Sequence, residues 1–423
     1  MPLIDDTRLF PECPYGCSVR FLFRPPADSA GELLTLPWHL PLEAWADERL
    51  IEVPSPGLHR HVVRFVQLED DVYALKELSE RLARREYDIL RALADLGLPA
   101  VQVLGVAVGR QDELDAVLVT RFLPYSTPYR TLFASPRGGW PTERLLDALV
   151  ELLVRLHLAG VFWGDCSLSN TLFRLDAGDL AAYLVDAETS ERYPVLSEGM
   201  RRHDVDLAHE RVAGEVMDLE AGEEVQDLDP IGVADELVRR YDALWNELTA
   251  EEVLPPDEQR FRIRQRVQRL NELGFDVEEL ELVETPEGNV LKVKTRVAEP
   301  GNARRDLLAL TGLHVQENQA RRLLNDIASY RAHLERKTGK PVTRALAASQ
   351  WLTEIYKKVV DGIPPALRGR LSPAEVFHEV LEHRWYLSEA AGRDVGTTEA
   401  ATSYFTKVLP SVPEEFSAGP LER

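Results

Sequence analysis

The chain has 423 residues, enough for two or three domains that each bury a core, and its 44% hydrophobic and 28% charged residues are those of an ordinary globular protein. A formal net charge of -22 argues against a generic nucleic-acid binder, because affinity for a polyanion comes mostly from neutralising phosphates, so any phosphate site has to be local. Three cysteines, Cys13, Cys17 and Cys166, make neither a disulfide framework nor a four-ligand zinc site. The sequence opens without a signal-peptide pattern, and no uncharged apolar run reaches membrane-spanning length, so the expected setting is a reducing cytoplasm with no membrane span.

In chain order, Ser18 to Phe23 is expected as a strand and Leu42 to Leu50 as a short helix, neither with nameable chemistry. From Ile51 to Glu77 the pattern is of strands: Val62 to Val66 alternates into a turn at Glu69-Asp70-Asp71, and Val72-Tyr73-Ala74-Leu75-Lys76 follows. Lys76 is the only lysine before Lys292 in a chain that otherwise uses Arg, and a site needing a compact ammonium does not accept a planar guanidinium freely. Glu80 to Leu96 is helical by the spacing of Leu82, Tyr87, Leu90, Leu93 and Leu96. Val101 to Val108 and Ala116 to Phe122 are two more strands, and Pro141 to Ala159 is a helix whose leucines repeat every three or four residues.

That helix delivers the chain into Gly160 to Phe173, where Asp165 and Asn170 stand five positions apart in a short polar loop. The layout suits phosphoryl transfer, which needs a carboxylate near the acceptor hydroxyl and a neutral amide oxygen to help hold magnesium on the nucleotide phosphates. Thr171 to Leu175 and Ala182 to Val185 form a hairpin around Asp176-Ala177-Gly178-Asp179, and the returning strand ends on a second metal candidate, Asp186.

With these residues in place, the first 254 residues resemble the protein-kinase-like superfamily, in its lipopolysaccharide-kinase-like branch. The resemblance implies a bilobal α+β fold, with Asp165 as the catalytic-loop Asp, Asn170 and Asp186 on Mg2+, and Lys76 gripping the phosphates of ATP. It also implies a helix carboxylate paired with Lys76, for which Glu86 is the candidate and Glu80 and Asp88 its rivals. A phosphate-covering loop is expected around Ser55 and Gly57, and a hinge meeting adenine through backbone groups of about Thr120 to Leu123, with Phe122 among them. An Asp on the helix after Asp186 is expected to brace the catalytic loop; Asp206 in Asp206-Leu207-Ala208 is the better match and Asp204 the alternative. His157 is read as structural. The chain departs from ordinary protein kinases at Trp163, two before the catalytic Asp, and at Asp186-Ala187-Glu188 in place of Asp-Phe-Gly.

Residues 215–258 are strongly acidic, broken by a helix from Ile231 to Leu248, and a domain boundary is placed at Leu254-Pro255-Pro256. Beyond it come a helix carrying Arg262, Arg266 and Arg269, a hairpin from Glu278 to Val297, and then helices over 304–311, 315–337, 342–361 and 373–391. His378 and His383 are five apart, about 140° around a helix, and so do not share one metal. This part resembles an uncharacterised bacterial domain fused behind a lipopolysaccharide-kinase-like one. The expected division is 1–124, a β-rich lobe with an N-terminal extension; 125–254, a helical lobe; 255–409, a mainly helical domain with a hairpin; and 410–423, a loose tail.

Two readings follow. Either the chain is a phosphotransferase moving the γ-phosphoryl group of Mg-ATP to a hydroxyl acceptor, or it is a nucleotide-binding scaffold acting through its C-terminal helices. A homo-oligomer through that domain is the expected assembly, and nucleic-acid binding through Arg262, Arg266 and Arg269 is the disfavoured third option.

Overall fold

In this computed structural model the described residues are 19–23, 30–51, 61–69, 71–110, 113–133, 141–222, 228–249, 252–253, 277–285, 288–297 and 302–412. Six strands, β1 (Arg20–Phe23), β2 (Leu50–Ile51), β3 (Val62–Leu68), β4 (Asp71–Leu78), β5 (Val103–Val108) and β6 (Ala116–Arg121), form one antiparallel sheet in the order β1-β5-β6-β4-β3-β2. Side chains alternate between its faces, so Leu75, Leu104, Val117 and Val119 go one way, and Leu78, Val106, Val108 and Leu118 the other. Both faces are covered, which is why these strands read as nearly continuous apolar runs.

The first face is covered by the segment 30–51, which includes α1 (Ala30–Leu34). Leu33, Leu36, Trp38 and Leu42 are all but fully buried there, each side chain contributing roughly 1.5–3 kcal/mol of gross stabilisation. The helix expected over 42–50 is only a single 3-10 turn, Leu42–Ala44. Asp47 takes the main-chain N–H of Arg49 at 3.0 Å and its guanidinium at 2.8 Å, a local bond that competes with helical pairing. On the second face lies α2 (Glu80–Asp95), whose Ala83, Tyr87, Leu90 and Leu93 pack on the sheet.

After the hinge come β7 (Ser126–Pro128), α3 (Tyr129–Phe133) and α4 (Thr142–Leu158). Helix α4 is buried on almost every side from Leu145 to His157 and forms the axis of the helical lobe. β8 (Val161–Phe162), β9 (Thr171–Asp176), β10 (Asp179–Leu184) and β11 (Glu191–Arg192) frame the polar loop; β9 and β10 are the expected hairpin, and β11 pairs with β8. α5 (Glu198–Ala221) and α6 (Pro230–Thr249) close this lobe.

The C-terminal part begins with β12 (Glu252–Val253), β13 (Val277–Thr285) and β14 (Gly288–Val297), in the order β12-β14-β13. Helices α7 (Asn302–Thr311), α8 (Glu317–Thr338), α9 (Arg344–Trp351), α10 (Lys357–Asp361), α11 (Pro373–Ala391) and α12 (Thr397–Lys407) follow. The helix expected over 342–361 carries a π segment, Leu352–Tyr356, between α9 and α10, and α12 has no counterpart in the sequence reading. Their core centres on Phe377, with Trp351 at 5.6 Å and Tyr356 at 5.1 Å between ring centroids. The helix expected over 259–273, with Arg262, Arg266 and Arg269, lies outside the described residues.

This domain is bonded to the β9–β10 turn. Buried Asp176 accepts the N–H groups of Gln319 at 2.8 Å and Asn318 at 3.1 Å, in the first turn of α8, while Gln316 and Gln319 both donate to the carbonyl of Leu175. Burial pushes the Asp176 carboxyl up to about 7, against the pull of those main-chain donors. Among the described residues no helix is long and apolar enough to cross a membrane.

Candidate active site

Lys76 sits on β4, opposite Leu118 of β6, on the sheet face that α2 covers. One helical turn and a half into α2, Glu86 is turned inward with Tyr87 and Ala83, and is 1% exposed. The Lys76 ammonium donates to Glu86 at 3.1 Å and to Asp186 at 2.8 Å, with Glu188 at 3.7 Å. Burial disfavours the ammonium, but the Glu86 and Asp186 carboxylates outweigh it and hold Lys76 above its ordinary value. Burial, together with the charge of Asp186, pushes Glu86 up to about 7 against the pull of Lys76. The Lys76 ammonium therefore faces three carboxyl groups, of which the buried Glu86 is the one whose charge burial opposes.

The polar loop enters at Gly160 and turns at Gly164, both with φ near +78°. A Cβ at Gly160 would collide with the carbonyl of Tyr193, and one at Gly164 would crowd the carbonyl of Thr189 at 3.1 Å. Within the loop, Asn170 donates its amide to the Asp165 carboxylate and to the Asp165 carbonyl, each at 3.1 Å. This commits the nitrogen of Asn170 and leaves its carbonyl oxygen for another partner. Glu215 of α5 accepts the N–H groups of Leu168 at 2.7 Å and Ser169 at 2.8 Å, fixing the loop from below. Cys166 is fully buried beside it, and burial pushes its thiol up, so it has no nucleophilic character.

The loop's brace is Asp204 and not Asp206. Asp204 is fully buried on α5 and accepts the N–H of Trp163 at 2.6 Å, the N–H of Gly164 at 2.8 Å and the His157 ring at 3.0 Å. Asp206 is exposed two residues on, where a helix has turned its side chain about 200° away. His157 is buried and structural: burial lowers its value and keeps it neutral, with Tyr241 at 2.6 Å on the second ring nitrogen.

Lys76, Asp165, Asn170 and Asp186 line one cleft of about 450 Å³. Charged or ionisable side chains outside the expected site also line it, His61, Glu188, Glu210, Arg211, Glu215 and Asp218. His61 meets Glu188 at 3.0 Å, and the Arg211 guanidinium holds Asp165 at 2.9 Å. Glu188 stands where the related motif has glycine; that departure was the only signal for it. At the hinge, Phe122 gives its N–H to Val72 at 2.8 Å, and the Leu123 carbonyl accepts the Ser126 hydroxyl at 2.7 Å. Thr120 pairs with Ala74 and Val103 in the sheet. Ser55 and Gly57 lie outside the described residues. His378 and His383 go to different partners, His378 to Glu382 at 3.4 Å and His383 to Ser403 at 3.0 Å.

The region that carries this cleft resembles known proteins. Residues 58–214 match the Lipopolysaccharide kinase (Kdo/WaaP) family. The matched region is followed by a match of residues 243–409 to a Domain of unknown function, DUF4032. The chain is thus a lipopolysaccharide-kinase-like region fused to a second domain, with an α+β fold, kinase-like in its β-rich sheet and helical lobe. A solved structure, "WaaP in complex with acyl carrier protein", aligns at 14% identity and a TM-score of 0.36, over 60% of this chain and 99% of that one. No curated protein matches the sequence.

Proposed function

We propose that the cleft binds ATP with Mg2+ and transfers the γ-phosphoryl group to a hydroxyl acceptor. The observation that carries this is the Lys76 ammonium, 3.1 Å from Glu86 and 2.8 Å from Asp186, in the same cleft as Asp165 and Asn170. Membership of the first region in a kinase family supports it.

Lys76, steadied by Glu86, orients the nucleotide phosphates. Asp186 and the carbonyl of Asn170, whose nitrogen alone is engaged by Asp165 among the described residues, are hard oxygen donors that fit magnesium. When bound, the ion neutralises charge on the phosphates. The Leu123 N–H, which the hinge bonds described above do not use, is the donor we assign to adenine. Asp165 accepts the acceptor's proton as its oxygen bonds to the γ-phosphorus, the bond to the β-bridging oxygen breaks, and ADP leaves. Arg211 has to leave Asp165 for this to happen, and as an exposed side chain it is able to swing aside. A cytoplasmic setting and an oligomer through the C-terminal domain belong to the same proposal.

The test is transfer of labelled γ-phosphate from Mg-ATP into a metabolite extract, comparing wild type with Asp165→Asn. Label incorporated by wild type and lost by at least about a hundredfold in Asp165→Asn, with ATP binding retained, is the expected result. The hold of Arg211 on Asp165 favours a second reading, a nucleotide-binding scaffold, and ATP binding without any transfer would select it.

A further inference from the structure

A second cavity, of about 560 Å³, lies behind the hinge; Leu123 of the hinge lines it, but among the described residues it shares no lining with the cleft that holds Lys76 and Asp186. Its walls come from both parts of the chain: Arg174 and Tyr183 of the β9–β10 hairpin face Arg304, Arg305 and Leu308 of α7 and the following Leu313. Arg174, Arg304 and Arg305 line it, with His314 beside them, and Asp95 is the one acidic side chain among the described lining residues. In a protein with 71 acidic and 49 basic residues, such a local excess of positive charge runs against the composition.

Arg174 is the telling residue. Its Nε is buried without a hydrogen-bond partner, and among the described residues no carboxylate pairs with it; the guanidinium lies 5.8 Å from the centroid of the Tyr183 ring. Burying part of a guanidinium with a donor unsatisfied costs stability unless something accepts from it. The ion pair of Arg304 with Glu317 is long, at 3.8 Å. Guanidinium forks match the oxygen geometry of phosphate, and the leucines of the wall suit an apolar body attached to it.

We propose that this cavity is a binding site for a phosphorylated small molecule, its phosphate held by Arg174, Arg304 and Arg305 and its organic part against Leu308 and Leu313. An occupant bonds the hairpin to α7. Because that hairpin runs between Asn170 and Asp186, the site is placed to report a ligand to the catalytic cleft.

The experiment is calorimetric titration of the full chain with phenyl phosphate and with inorganic phosphate, in EDTA so that no divalent cation contributes. One site per chain is expected, with phenyl phosphate the tighter ligand. Arg174→Gln should weaken it by about tenfold or more, and Lys76→Ala should leave it within about twofold. The Arg304→Gln/Arg305→Gln pair, altered nearer the surface, should weaken it likewise and serves if Arg174→Gln does not fold. Equal affinity for the two ligands would support the anion site while assigning it to free phosphate. Binding of neither, binding indifferent to all three arginines, or binding lost in Lys76→Ala alone would overturn the proposal.

Discussion

The carboxylate of Glu375, on the C-terminal domain, accepts the N–H of Gly178 at 2.7 Å and that of Ala177 at 2.8 Å, across 197 residues of sequence from the nearer of the two. It also accepts the Gln319 side-chain amide at 2.8 Å, and it is 1% exposed. The turn it holds joins the strands that begin after Asn170 and end before Asp186, so the second domain is fastened to the element that carries both candidate metal residues.

Removing that carboxylate strands the two turn N–H groups and leaves the Gln319 amide only its longer bond to the Leu175 carbonyl, at 3.3 Å. Glu375→Ala should cost on the order of 3 kcal/mol, since each unsatisfied buried group costs about 1–3 kcal/mol and the site relaxes in part. Urea unfolding followed by circular dichroism measures it, and a loss below about 0.5 kcal/mol would mean that the clamp is not made in solution.

Asp176 gives the interface a pH dependence. An unfolded Asp titrates near 3.8, and burial raises this one to about 7. Between those values the folded chain keeps a proton that the unfolded chain has released. The stabilising contribution is therefore full below about pH 4, and is lost as pH rises through 7. Wild type should lose on the order of 3 kcal/mol more than Asp176→Asn between pH 5 and pH 8. Unfolding curves at the two pH values give the comparison; parallel losses in the two proteins would contradict it.

The brace separates two neighbouring carboxylates. Asp204→Ala leaves two main-chain N–H groups and His157 without their acceptor, and should cost about 3–5 kcal/mol; Asp206→Ala, on an exposed position, should stay within about 0.5 kcal/mol. Thermal melts of the two variants check this, and equal shifts would return the role to Asp206.

What the sequence yielded, and what it did not, follows from how specific each group's chemistry is. Lys76, Asp165, Asn170 and Asp186, which the fold gathers in one cleft, stand out in the sequence because the proposed reaction needs those side-chain types at those spacings, and because Lys76 stands alone in an arginine-using region. Asp204 and Asp206 offer the same carboxylate two residues apart, and only packing decides which faces inward. The Glu375 clamp left no trace, because its partners on the turn are main-chain amides that any residue supplies. The segment 30–51 was opaque for a different reason. Its short elements, α1 and the turn at Leu42–Ala44, have too few residues for a period to show, and they are held by burial against the sheet.

The central claim is that Lys76 and Asp186, drawn together at 2.8 Å from 110 residues apart, form one site for a nucleotide and its divalent ion. Calorimetric ATP binding with and without magnesium, on wild type, Lys76→Ala and Asp186→Asn, tests it most directly. One ATP per chain, bound only with magnesium and weakened by about tenfold or more in each variant, is the predicted result. ATP bound equally well without magnesium, or equally well by both variants, would contradict it.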